Sequence, residues 1–385
     1  MISPKLGFNN SFRPNYCKSE GIQLFDSDNT CYLDLFSNFS SLPFGHNYAP
    51  LAEYLASIDL NLTERVPLCA FNQVEVDQFC EKFNNFLPES FNFISFAENG
   101  GLAIEQVVKS YLYFAYTLGK SCRFYVFEGS YHGIIGLSAF LTMIAGSAND
   151  RLSFLTNDLL DVFKIYSLEE LPDDHTNFVN ILFVEPIRCT AGDLLPSSNM
   201  LKLISAFQEL DNCYLVYDEI QSGFYATFVD WGYKYLDLPP PDVLVFGKRL
   251  QICGFVSNSV IEVVFSKSSP KILSSTFDGS LLDVIRGIFM LEHTPSYLEG
   301  CKTDLYLLIK DLLYNLENWL SAIRSDSHGC LASLEFKSPT DMEFASSLLE
   351  KKHILHNSTK PNKIRLRFPF NFSPNDLDQI TSRIF

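Results

Sequence analysis

The sequence predicts an α/β protein: a large domain built on a mainly parallel sheet covered by helices, plus a smaller α+β domain assembled from the two chain ends. Three observations carry this. Between residues 93 and 246, short apolar runs of strand length alternate with longer stretches whose apolar residues recur at helical spacing. The runs are rich in β-branched and aromatic residues and nearly free of charge, as strands covered on both faces require. The chain has 385 residues, 47% of them apolar and 19% charged, which is too long for one simple core and has no low-complexity block. The boundaries read as 1–48 for the first part of the smaller domain, 49–284 for the large domain and 285–385 for the remainder.

The elements follow in order. Residues 23–34 read as a hairpin turning at Asp26-Ser27-Asp28-Asn29. Residues 93–97 form a buried-type strand that runs into Glu98-Asn99-Gly100-Gly101 and a helix with a stripe at Ile104, Val107, Val108 and Tyr111. Strand, two glycines and helix make a cup for an anion, because unpaired amides and the helix dipole favour phosphate. A strand at 124–127 ends near Tyr131-His132-Gly133, and the uncharged stretch 133–146, too short to span a membrane, reads as a core helix. A strand at 178–184 stops at Glu185-Pro186, and the helix after it carries Met200, Leu203, Ile204 and Phe207. From Leu281 onward amphipathic helices and short strands take over.

Two further strands fix the chemistry. The run 214–217 stops at Asp218 and Glu219, and the run 243–246 stops just before Lys248 and Arg249. Ligands of open α/β sheets sit beyond the carboxyl ends of the strands, so an acid and a lysine there are placed to face one ligand. Such a pair suits pyridoxal phosphate: the amine can condense with the aldehyde, and the carboxylate can keep the pyridine nitrogen protonated. On spacing alone, two solvated strand-end charges remain the alternative.

The motifs around this pair go further. Asp218-Glu219-Ile220-Gln221-Ser222-Gly223, then Pro241-Asp242 through Gly247-Lys248, resemble class III aminotransferases of fold type I, and the continuation to Gly254 is most similar to the lysine 6-aminotransferase and 4-aminobutyrate aminotransferase branch. The segment 33–47, the stretch 96–109, Tyr131-His132-Gly133, Glu185-Pro186-Ile187, residues 271–279, and the strands 327–336 and 364–370 fall in family order. The resemblance makes 49–284 the cofactor-binding domain. It implies Lys248 and Asp218 as catalytic residues. Gly100, Gly101, Tyr131, His132, Glu185, Gln221 and, across a homodimer interface, Thr276 join these two in holding pyridoxal 5′-phosphate. Tyr131 would stack on the cofactor ring. Arg367 would bind a substrate carboxylate, for which the guanidinium fork is suited.

The resemblance breaks on the substrate side. Ile134 stands where the ω-aminotransferase branch has an arginine for a distal carboxylate, so an apolar wall is expected there. Thr190 stands where the branch has a glutamate that pairs with the carboxylate-binding arginine, so Arg367 is expected to lack a charged mask. The function implied is transfer of an amino group from an amine or amino acid, lysine-like or ω-amino-acid-like, to a keto acid such as 2-oxoglutarate. A racemase, epimerase or tailoring enzyme of the same fold, and a non-catalytic relative, stand as alternatives.

Bulk charge narrows the partners. A net charge of −16 argues against nucleic acid and anionic membranes. Ten scattered cysteines without a CxxC pair, and an N-terminus without an apolar core of signal length, lead us to expect reduced thiols and a cytoplasmic protein. His353 and His356 are spaced for one helix face but have no further ligands nearby, so no metal site is expected.

Overall fold

The computed structural model describes residues 13–60, 65–68, 72–142, 160–359 and 361–385. Its centre is a seven-stranded sheet made of β3 (Phe93–Ala97), β4 (Cys122–Val126), β5 (Val162–Lys164), β6 (Val179–Val184), β7 (Cys213–Asp218), β8 (Val243–Phe246) and β9 (Cys253–Ser257). The order across the sheet is β3-β9-β8-β7-β6-β4-β5. All neighbouring pairs are parallel except those of β9, which runs antiparallel to both β3 and β8.

Side-chain alternation explains why both faces are covered. Leu182 and Val184 of β6, Leu215 and Tyr217 of β7, and Leu244 and Phe246 of β8 enter one core cluster; Ile181, Phe183, Val216, Val243 and Val245 enter the other. The helix α3 (Gly100–Thr117) covers the second face with Ile104, Val107, Val108 and Tyr111. On the first face lie α4 (Ser198–Phe207), through its buried Met200, Leu203, Ile204 and Phe207, and the 40-residue α5 (Leu281–Leu320). Both stripes are those read from the sequence. Among the described residues, no helix is long and apolar enough to cross a membrane.

Asp242 shows how the strand starts are tied. Its carboxylate accepts the Leu215 amide at 2.8 Å, the Asn258 side-chain amide at 2.8 Å and that of Gln208 at 3.2 Å. One side chain thereby joins the ends of β7 and β9 to the helix layer.

Two small sheets stand apart from the large one. The hairpin of β1 (Gln23–Phe25) and β2 (Cys31–Asp34) is extended by β12 (Ile354–Leu355), parallel to β2, so the two chain ends share a sheet. A four-stranded antiparallel sheet runs β10-β11-β14-β13, with β10 Arg324–His328, β11 Leu331–Glu335, β13 Asn357–Thr359 and β14 Lys363–Arg367.

The stretch 133–146 departs from expectation. It is not a core helix: residues Gly136–Leu141 form a short 3₁₀ helix, Ile134 and Ile135 are exposed, and 143–146 lie outside the described residues. Gly133 and Gly136, at φ +109° and +50°, take conformations that an α-helix does not contain. Cys69 also lies outside the described residues; the nine described cysteines are free thiols.

Strand β9 depends on the small size of Gly254. A Cβ there would lie 2.8 Å from the Phe246 ring, 3.1 Å from the Phe96 Cα and against the Ser95 carbonyl oxygen. Gly254→Ala is expected to lower stability by about 1–3 kcal/mol through overpacking, read as a fall in the urea midpoint at unchanged slope. An unmoved midpoint would show that the three strands do not approach this closely.

Candidate active site

The parallel strands deliver their carboxyl ends to one edge of the sheet, and a cavity of about 530 Å³ opens there. After β3 come Asn99, Gly100 and Gly101; after β4, Tyr131, His132, Gly133 and Ile134; after β6, Glu185; after β7, Asp218, Ile220 and Gln221; after β8, Lys248. All of them line the cavity. Gathering residues from five strand ends is what this topology does.

Asp218 and Glu219 are adjacent acids with separate duties. Asp218 continues the face of Val216 into the cavity and is 4% exposed. Its Oδ2 lies 2.9 Å from His132 Nδ1, and its Oδ1 accepts the Ile220 amide at 3.2 Å. Glu219 points the other way and accepts the Tyr233 amide at 2.7 Å, the Gly232 amide at 3.0 Å and the Ser222 hydroxyl at 2.5 Å. It pins the loop that follows the strand. Burial raises its carboxyl to about 7.

His132 is fixed from several sides. Its amide donates to Thr142 Oγ1 at 3.0 Å, and its ring meets Phe183 edge to face. With Nδ1 on Asp218, the buried Nε2 has no hydrogen-bond partner in the protein. Glu185 accepts the Tyr131 amide at 2.7 Å and thereby sets where that tyrosine enters the cavity wall. Burial raises Glu185 to about 7, with the Asp218 charge adding to the rise and His132 and Lys248 opposing it.

Lys248 opens a 3₁₀ turn at φ +41°, in the left-handed region, and Gln251 at φ +65° closes it. Burial pushes the Lys248 amine down to about 8, and the Arg367 and Arg365 charges push the same way. A lysine titrating near 8 has a sizeable fraction of neutral, nucleophilic amine at physiological pH.

The segment that follows β2 also reaches the site. Ser37, Asn38, Phe39 and Ser40 all have positive φ, from 44° to 74°, a left-handed turn without glycine. Such geometry costs about 1–2 kcal/mol per residue. It is held by the Phe36 and Ser37 amides on Asp34 Oδ1, by Arg249 Nε on Ser40 Oγ and by Gln221 Nε2 on the Phe39 carbonyl. Ser41 and Leu42, just beyond it, line the cavity.

Pyridoxal phosphate fits this donor set. In the first turn of α3 the Leu102 amide donates to the N-cap Asn99 Oδ1 at 3.0 Å, whereas the amides of Gly100 and Gly101, which line the cavity, have no acceptor within the helix. A Cβ at Gly100 would lie 2.7 Å from Ile220, so only glycine leaves the strand-end side chain its place. The buried acid, the depressed lysine and the unpartnered imidazole nitrogen provide an ionic partner, a nucleophile and a spare polar contact in one cavity. Thr276 lies on an exposed turn and is not part of the cavity wall of its own chain.

Two substrate-side expectations need correction. Arg367 does not line the cavity, because the β14 register turns Lys363, Arg365 and Arg367 inward onto the loop 189–193. Arg367, 2% exposed, makes a bidentate pair with Asp193 at 2.6 and 2.9 Å and also donates to the Ala332 carbonyl. Its charge is therefore masked, by an acid three residues beyond the expected position. Leaving such a buried pair uncompensated costs about 3–5 kcal/mol. Thr190 does not line the cavity either; its carbonyl accepts the Thr359 hydroxyl. Ile134 does line it, 55% exposed, as an apolar wall. Arg188 turns away and donates to the Glu128 and Leu195 carbonyls.

Sequence reasoning missed Asp193 and also Asp283 and Arg286, which line the cavity from the first turn and a half of α5. Asp193 had a signal, an acid in the loop after Glu185-Pro186; Asp283 and Arg286 had none beyond helical spacing. His356 bonds Ser346 Oγ at 2.7 Å and the Ile354 carbonyl at 3.1 Å, and among the described residues no group of three or more ligating side chains is spaced for a metal.

Comparison with known proteins agrees with this geometry. The family described as "Aminotransferase class-III" matches residues 9–385. The L-lysine-epsilon aminotransferase of Streptomyces clavuligerus is 28% identical over 312 residues, 71% of this chain and 67% of that protein. The ornithine aminotransferase of Halalkalibacterium halodurans is 25% identical over 384 residues, 96% of this chain and 92% of that protein. The match to lysine relatives spans about two thirds of their length. In fold, the lysine aminotransferase of Mycobacterium tuberculosis superposes with a TM-score of 0.84 at 21% identity, over 99% of this chain and 95% of that one. From the match along nearly its whole length, the chain belongs to the class III aminotransferases, pyridoxal-phosphate-dependent enzymes of fold type I.

Proposed function

We propose that this protein transfers an amino group from an amine or amino acid, of lysine or ω-amino-acid type, to a keto acid such as 2-oxoglutarate, as a homodimer with shared sites. The observation that carries the reading is that Lys248 and Asp218 come from the ends of adjacent strands and line one cavity closed by the α3 N-terminus.

The cofactor, when bound, supplies an aldehyde that takes up the donor nitrogen and a protonated ring that draws electrons from the neighbouring carbon. Each residue then has a task that its surroundings explain. Asp218, buried and held by His132 and Ile220, presents an anionic oxygen to a ring N–H and cannot turn away. Lys248 Nζ, lowered by burial to about 8 and so partly neutral at physiological pH, would be the amine that holds the cofactor aldehyde with loss of water and, when free, the base that accepts and returns a proton at the substrate carbon. The amides of Gly100 and Gly101 receive phosphate, and Thr276 of the second copy is assigned the same phosphate. Glu185 fixes Tyr131, whose ring is assigned to stacking on the cofactor ring, and Ile220 packs beside Gly100 in the cavity wall. Gln221 is assigned the phenolic oxygen. Arg367 can orient a substrate carboxylate only where Asp193 gives way, and Ile134 favours a substrate apolar at that wall.

Three outcomes test the reading. Lys248→Ala is expected to abolish turnover and cofactor capture while circular dichroism stays unchanged; residual transfer of glutamate nitrogen would sink the role. Asp218→Asn, nearly isosteric, is expected to lower kcat by about a hundredfold or more while borohydride still traps cofactor on Lys248. The trapping rate of cofactor at Lys248 is expected to rise with pH through a midpoint near 8, because only the neutral amine reacts. A midpoint near the ordinary lysine value would show that burial leaves this amine unaltered.

A further inference from the structure

Among the described residues, the cationic side chains that line the cavity are Lys248 and Arg286. The transamination reading uses the first and leaves the second without a task. The other basic side chains near the site are already committed. Arg367 is held by both oxygens of Asp193, and Arg365 donates to the Cys189 carbonyl at 2.8 Å and to Asn357 Oδ1 at 2.6 Å. Arg188 donates to two carbonyls, and Arg249 to the Phe368 carbonyl and Ser40. All four are buried.

Arg286 differs from them in each respect. It is 35% exposed, as is Asp283, and its Nη1 donates to Asp283 Oδ1 at 3.1 Å, an i,i+3 pair on the surface of α5. A guanidinium has five N–H donors in a rigid fork, so this bond leaves donors for a second anion. A half-exposed pair of this kind also rearranges readily, unlike the sealed Arg367 pair. Phosphate already has a receptor in the α3 amides, so the anion left for Arg286 is a carboxylate.

We infer that Arg286 is the receptor for a substrate carboxylate in this cavity, with Asp283 as the acid that competes for it. The inference rests on the aminotransferase reading for the identity of the substrate and for the assignment of phosphate to α3, and on the cavity lining for Arg286 itself. It selects donors and acceptors that bear a free carboxylate over carboxylate-free amines, and makes Arg286 a specificity-determining residue.

The test uses glutarate, a dicarboxylate with neither amine nor carbonyl, titrated calorimetrically into the full chain loaded with cofactor, so that binding is read without turnover. Arg286→Gln is expected to weaken glutarate binding by about tenfold or more, and Arg286→Lys by less. Asp283→Asn is expected to tighten it severalfold by removing the competitor, a gain that misfolding cannot imitate. Cofactor uptake by Arg286→Gln, followed by absorbance, is expected to stay within about twofold of the unsubstituted chain. Failure of the unsubstituted chain to bind glutarate, equal affinity in all variants, or weakened cofactor uptake by Arg286→Gln would each overturn the assignment, the last by making Arg286 a phosphate contact. Failure of the transamination reading shows elsewhere: the unsubstituted enzyme would form no glutamate from 2-oxoglutarate with any donor, whatever glutarate does.

Discussion

The site depends on the register between two parallel strands. Asp218, last residue of β7, pairs with Val245 of β8, so the chain leaves β8 within a few residues of the level at which β7 ends. Lys248 follows directly after Gly247, and the left-handed φ of Lys248 turns the chain at once into a short 3₁₀ turn. A slip of one residue in that ladder would send Asp218 to the opposite face of the sheet, where Glu219 now lies. Register is protected by burial on both faces: every residue of β8 is buried, and Leu215, Val216 and Tyr217 of β7 are each fully enclosed. The geometry of the Asp218–Lys248 pair and the core packing are here the same constraint.

Around that pair, the supporting contacts are mostly backbone contacts to buried acids. Asp34 holds the left-handed turn, Asp218 holds Ile220, Glu185 holds Tyr131, and Glu219 holds Gly232 and Tyr233. Each acid is nearly inaccessible to water. Amide donors meet a carboxylate's need for partners without bringing a second charge, and they fix a loop more rigidly than a long side chain would. The loops that build the cavity are thus tied to the strands they leave.

The sequence showed the strands by where their apolar runs stop, and the stops at Asp218, Glu185, Gly100 and Lys248 marked the cavity's edge. The stripes Ile104/Val107/Val108/Tyr111 and Met200/Leu203/Ile204/Phe207 marked the covering helices. Strand β9 was hidden because it enters antiparallel, through Gly254, and its five residues carry no alternation distinct from a loop. The stretch 133–146 misled because absence of charge suits a core helix, whereas two glycines at positive φ break it. Arg286 was invisible for a different reason, and Asp193 showed only as an acid after Glu185-Pro186, without its partner. Their roles follow from which way β14 and the start of α5 face, a relation between segments far apart in the chain that no local pattern encodes.

Buried charge in and beside the cavity sets the response to pH. Glu185 and Glu219, raised by burial to about 7, favour folding most below the ordinary glutamate value, and that contribution is lost as pH rises from there through 7. Lys248, lowered to about 8, acts oppositely: its contribution is full above the ordinary lysine value and is lost as pH falls through 8. Near neutrality both losses are nearly complete, so Glu185 and Lys248 in the cavity, and Glu219 behind it, are held where each is least favoured. The ionised Glu185 and the protonated Lys248 offset part of this by mutual attraction. The rest is borne by the apolar packing of the sheet, whose two buried faces stabilise the chain enough to keep reactive groups in a place that water would suit better.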